Sequence, residues 1–285
     1  MDIFFMVREP QEWQKQTSSA HHLFSDTIKI LSDLGLPELT DDGLYLKIHR
    51  LPCVRNHLGA PYDDHSNQFT TRMLMLLEGR CLYGDEAYEA SVADIIHSYY
   101  RDYPDHSQEF HPTFLINDIS RFWKTLLLNY ENKRHEDPDD RAKFRAKLRN
   151  YKLKFSRMTI CYATIVSIAA HDQAITENDL RELVQSTPFE RLDFAVARVS
   201  EFASASQQQF VEEFSQQVAD LKRQYGHFLN EMGKSDSDIE AMFRSRDEKV
   251  RLFGDAESYR SKMLSLLENV DQFDVHFKIG PALLI

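Results

Sequence analysis

Residues 141–170 read RAKFRAKLRNYKLKFSRMTICYATIVSIAA, and this stretch decides the fold class. Neither Gly nor Pro interrupts it, and it predicts one long helix. The rest of the chain agrees. Gly and Pro number only 9 each in 285 residues, while Leu, Glu, Lys, Arg and Ala are plentiful. Scarce turn-formers favour helices over a many-stranded fold. The expected fold is mainly α: a helical bundle body with a small N-terminal α/β part.

Working outward, helices are expected over 68–79, 85–100 and 111–132 upstream of that stretch. Downstream they are expected near 190–203, 206–232, 237–246 and 256–270. Two capping boxes punctuate the second half. Thr176-Glu177-Asn178-Asp179 carries Asp in place of the usual Glu, and Thr187-Pro188-Phe189-Glu190 has Pro at the first helical position. The apolar tail 273–285 is expected to dock on the body.

The N-terminal part reads differently. Asp2 precedes the apolar run Ile3-Phe4-Phe5-Met6-Val7, which reads as a buried strand. A helix is expected over 11–34, closed by Gly35, and a second strand over 44–50. Residues 55–66 are polar, with Gly59 and Pro61, and read as a linker or an active-site loop. The expected domains are an α/β segment over 1–60 and a helical domain over 67–285.

The bulk numbers narrow the function. A formal net charge of −11 argues against a uniformly basic nucleic-acid-binding face. Against that background Lys124 to Arg157 is rich in Lys and Arg, which suggests a local anion site. Cys53, Cys81 and Cys161 form no CxxC pair, so neither a zinc site nor a disulfide framework is indicated. Reduced thiols fit a cytoplasmic protein. No apolar run is long enough for a membrane span.

Three features carry a resemblance. The first is Asp2 directly before the strand of residues 3–7. The second is Thr71-Arg72-Met73-Leu74-Met75-Leu76-Leu77-Glu78-Gly79-Arg80-Cys81-Leu82-Tyr83. The third is the succession Tyr99-Tyr100-Arg101-Asp102-Tyr103, then Phe114 to Thr125, then Lys147 to Arg157. Together they resemble bacterial nucleotidyltransferase-domain proteins of the polymerase-β-like superfamily, over the region that follows the catalytic D-x-D strand. More distantly the second segment resembles uridylyltransferases that modify nitrogen-signalling proteins. In such proteins two aspartates on one strand point the same way and hold divalent metal ions against the NTP phosphates.

The resemblance implies a catalytic and metal-binding role for Asp2, with Mg²⁺ as the ion. It implies NTP as ligand, an acceptor the sequence does not name, and phosphate contacts from basic residues of the helical region. Spacing selects candidates for those contacts. Asn117, Arg121, Lys124 and Glu131 follow at intervals of four, three and seven and share one side of a helix. Asn150, Lys154 and Arg157 do the same on the next. Two antiparallel helices could then present Arg121, Lys124, Lys154 and Arg157 to one cleft. A bland alternative stands beside this one, in which these side chains form a solvated face and structural ion pairs.

The upstream helix with a Gly-Ser pair and the first aspartate of the motif are not in the sequence. The expectation is that this chain alone is inactive and that Met1 is the middle residue of an Asp-Met-Asp motif, with three explanations open: an upstream segment supplies the rest, a partner chain supplies it, or the chain is a natural remnant with a binding role. Asp2 is then expected to face the cleft of Lys154 and Arg157. Two rival readings remain. Arg101-Asp102-Tyr103-Pro104-Asp105-His106 fits the R-x-x-x-x-H pattern and resembles the HEPN ribonucleases, with Arg101 and His106 acting on an RNA phosphodiester. The other reading is a non-catalytic helical interaction module.

Overall fold

A computed structural model describes residues 2–8, 17–39, 43, 45–103, 110–135, 140–171, 174–273 and 278–282. The chain is mainly helical and forms two compact units. One comprises Met1–Met75 with Gly79–Ser98, the other Leu76–Glu78 with Tyr99–Ile285.

The first unit opens with strand β1 (Phe5–Val7), helix α1 (Thr17–Asp33) and strand β2 (Ile48–Arg50). β1 and β2 pair in parallel, Phe5 opposite Ile48 and Val7 opposite Arg50. Parallel neighbours need a crossover, and α1 lies between them in the chain. Gly35, at φ +64°, follows α1 in the left-handed conformation that a β-carbon disfavours. The strands are shorter than the sequence suggested, three residues each.

Four helices complete the unit: α2 (Leu51–Asn56), α3 (Tyr62–His65), α4 (Gln68–Leu77) and α5 (Asp85–Ser98). Here the reading of 55–66 as a linker or loop is corrected in part: α2 and α3 take Arg55, Asn56 and Tyr62–His65, while residues 57–61 and Ser66 remain turn or coil. The cause is a buried pair. Arg72 on α4 donates to Asp63 on α3 from both guanidinium nitrogens, at 3.1 and 2.6 Å, and to the Val54 carbonyl on α2 at 2.8 Å. Both side chains are fully buried. A carboxylate and a guanidinium taken out of water require this pairing, and it fixes the segment between them.

The second unit is a helical bundle: α6 (Thr113–His135), α7 (Asp140–Lys152), a π-helical segment Leu153–Arg157, α8 (Met158–Ala169), α9 (Glu177–Gln185), α10 (Pro188–Phe202), α11 (Gln208–Met232), α12 (Asp236–Arg244), α13 (Arg246–Phe273) and the short α14 (Ile279–Ala282). The opening stretch of the sequence is thus helical throughout, with a π turn in its middle. α8 is buried nearly all round and packs against α6, α9, α10 and α13, the signature of a central helix. Below it an aromatic cluster forms around Phe155, which stacks on Phe228 at 4.6 Å between centroids and packs on Tyr259 at 4.6 Å. Such rings each contribute on the order of 2–3 kcal/mol of burial. Both capping boxes form, with Thr176 and Thr187 accepting from the N3 amides and Asp179 and Glu190 accepting in return. In the tail, Ile279 is buried and its amide donates to the Asp271 carboxylate.

Arg191 locks this unit. It is fully buried on α10 and donates to the carbonyls of Leu183, Val184 and Ser186 at the end of α9, to that of Leu77, and to Thr164 Oγ1 on α8. One guanidinium therefore satisfies carbonyls that the α9 C-terminus leaves without intrahelical partners.

Among the described residues no helix is long and apolar enough to cross a membrane. Cys53, Cys81 and Cys161 are free thiols.

Candidate functional site

Asp2 stands just ahead of β1 in the first unit. Its Oδ1 is buried and has no hydrogen-bond partner among the described residues. A carboxylate oxygen in that state is costly unless something else meets it. Among the described residues no group of three or more His, Cys, Asp or Glu side chains is placed to share a metal ion.

The four basic candidates lie in the second unit. Arg121 pairs with Asp118, three residues earlier, at 3.6 Å. Asp118 also accepts from the Tyr99 hydroxyl at 2.7 Å. Lys124 is exposed and has neither ion pair nor hydrogen bond among the described residues. Lys154 and Arg157 both fall in the π-helical segment. A π turn hydrogen-bonds i to i+5, so it alters the angular spacing on which the shared face was read. The contacts of the two residues are different. The Lys154 ammonium lies 5.7 Å from the centre of the Phe253 ring on α13, while Arg157 forms an ion pair with Glu78. The expected helix pair α6–α7 is formed, but Lys154 and Arg157 are committed in separate contacts.

The polar residues of the second resembling segment have structural partners too. Arg72 binds Asp63, Glu78 binds Arg157, and Thr71 donates to the Asn67 carbonyl at 2.8 Å beside His49. Arg101 is exposed, and His106 lies outside the described residues, so the HEPN-like pair gains no geometry.

Sequence reasoning missed a cavity of about 500 Å³ between α11 and α13, whose floor is Tyr151, Phe155 and Phe228. Rungs bridge the two helices. Lys262 approaches Asp220 at 3.8 Å, Gln224 donates to Ser258 Oγ at 3.3 Å, and Arg251 meets Glu231 at 3.0 Å. Arg251 also reaches Glu248 at 2.8 Å and Asp255 at 3.3 Å. The charges of the rim are therefore compensated in place. Two polar groups in the lining are not. Tyr151 is only 2% exposed, and its hydroxyl has no hydrogen-bond partner among the described residues. Gln224 Oε1 is buried and likewise unpartnered. Burial pushes the Tyr151 phenol far above its usual range, with Asp255 and Glu231 adding to the effect. It is a neutral hydrogen-bond donor at every physiological pH. The signal for this site was present as Tyr151 and Phe155, four apart on the long helix, but pattern alone reads them as core.

A scan against protein-family models, a search of curated proteins and a search of solved structures each found no match to this chain.

Proposed function

We propose that this chain is a nucleotidyltransferase-like protein of the cytoplasm that binds nucleotide phosphates. One observation supports the reading: Asp2, whose buried carboxylate oxygen has no partner among the described residues, lies three residues ahead of β1, the first strand of the parallel β1–β2 pair. A carboxylate at the head of a strand fits the resemblance, in which strand-borne carboxylates address a metal-bound triphosphate. The free thiols support a reducing compartment.

The described residues alone do not gather a Mg²⁺ site. A single carboxylate is too few ligands for a hard cation that keeps octahedral oxygen coordination, and the described residues gather no acidic cluster. No transfer step is therefore assigned to this chain. What it offers is phosphate recognition, with Lys124 uncommitted among the described residues and Arg121 partly exposed on the same helix. Lys154 and Arg157 join them when their present contacts are exchanged for phosphate.

Titration calorimetry with ATP, GTP, CTP and UTP, with and without Mg²⁺, tests the proposal. Expected is binding of at least one NTP that weakens in Lys124→Ala and Arg121→Ala. Absence of binding to all four, or binding indifferent to both substitutions, overturns it.

A further inference from the structure

The α11–α13 cavity has the size of small-molecule sites, which fall at roughly 300–1,000 Å³. Its chemistry selects a class of ligand. The rim charges already pair with one another, so a ligand with net charge would have to break existing ion pairs to enter. The floor is aromatic, with Phe155 and Phe228 stacked at 7° between planes, which suits a flat ring. Among the described residues the lining offers one donor without a protein partner, the Tyr151 hydroxyl, and one carboxamide whose oxygen is unpartnered, that of Gln224. Exchanging the amide O and N of Gln224 leaves its inner atom unpartnered all the same.

The Tyr151 hydroxyl is the polar end of an otherwise buried ring that lines the cavity, and it has no protein partner among the described residues. Phe at this position would keep the packing against Phe155, Phe228 and Phe243 and remove the hydroxyl alone. The hydroxyl and the carboxamide line the same cavity and ask for an acceptor and a polar hydrogen-bonding edge.

We propose that this cavity binds a neutral, planar heterocycle with an amide-type donor–acceptor edge, of the nucleobase or nicotinamide kind. The Tyr151 hydroxyl donates to the ligand carbonyl, and the Gln224 carboxamide meets the adjacent N–H. No bond is made or broken. The proposal does not rest on the nucleotidyltransferase reading, since it involves neither Asp2 nor any phosphate contact.

The test uses the full chain with uracil, hypoxanthine and nicotinamide, without phosphate or Mg²⁺, so that its failure leaves the NTP reading untouched. Saturation-transfer NMR detects binding, and competition titrations give affinities for wild type, Tyr151→Phe and Gln224→Met. Expected is binding of at least one of the three, weakened about 3- to 10-fold in each variant, as for loss of one neutral hydrogen bond. The thermal midpoint of Tyr151→Phe should stay close to that of wild type. Absence of binding by all three compounds overturns the proposal. So does affinity unchanged in both variants, or a Tyr151→Phe melt well below wild type, which would assign the hydroxyl to the fold.

Discussion

Arg72 and Asp63 meet as a two-pronged ion pair with no exposure to solvent on either side chain. Removing one partner leaves the other charged and buried without compensation. We expect Arg72→Ala and Asp63→Ala each to lower the unfolding free energy by about 3–5 kcal/mol. Urea denaturation of the single variants checks this. Arg72→Met with Asp63→Leu together should cost much less than the sum of the singles, because no orphaned charge remains.

Arg191 should be equally intolerant of change, for a different reason. Its fork reaches five acceptors from one position, and Lys has one nitrogen where Arg has three. Arg191→Lys is expected to lose more than about 3 kcal/mol, since several carbonyls lose their donor together. Hydrogen exchange should locate the loss at α9 and the start of α10. A uniform loss over α13 as well would argue against a local lock.

Stability should fall in mildly acidic solution. Burial pushes His49 and His171 down to about 4 from an ordinary 6.5. His49 is lowered further by Lys47. At His171 the Ser167 carbonyl and Asp179 oppose burial, while Arg198 and His111 reinforce it. Both folded-state values are depressed, so the unfolded chain binds more protons between pH 6.5 and 4. Their contribution is complete above pH 6.5 and is lost as pH falls toward 4, by up to about 3 kcal/mol each. Urea midpoints at pH 7.5, 6.0 and 5.0 measure the slope. His171→Gln and His49→Asn should each flatten it, and an unchanged slope in both would remove these groups from the account.

Much of the fold is written in local spacing, and the exceptions share a cause. The capping boxes at Thr176 and Thr187, the stop at Gly35 and the long helix after residue 140 depend on contacts within a few residues. The sequence displays those contacts directly. The short helix α3 within 55–66 carries Asp63, which Arg72 meets from nine positions away, a pairing that no period announces. The π turn changes a hydrogen-bond register without changing composition, so the shared face of Lys154 and Arg157 was read on α-helical spacing that the backbone does not keep. The Tyr151 cavity needs α11 and α13 laid side by side, and neither helix alone hints at it.

The ion pair of Arg157 with Glu78 separates a structural arginine from a phosphate ligand held in reserve. Arg157→Ala alone cannot decide between them. Glu78 is largely buried, and its Oε1 has no hydrogen-bond partner among the described residues, so losing Arg157 destabilises the chain under either role. Glu78→Gln decides it. The amide keeps the shape and can still accept from Arg157, but it no longer neutralises the guanidinium. If Arg157 takes an NTP phosphate, it must leave Glu78 to do so, and the bound state gains what the pair gives up. Weakening the pair should then tighten Mg²⁺–NTP binding by about 3- to 10-fold, as a modest cut in a competing ion pair allows. The gain should vanish when Arg157→Ala is added to Glu78→Gln. Titration calorimetry on the two variants and wild type, at one salt concentration, reads the difference. Equal NTP affinity in wild type and Glu78→Gln would make the pair purely structural and leave phosphate recognition to Arg121 and Lys124.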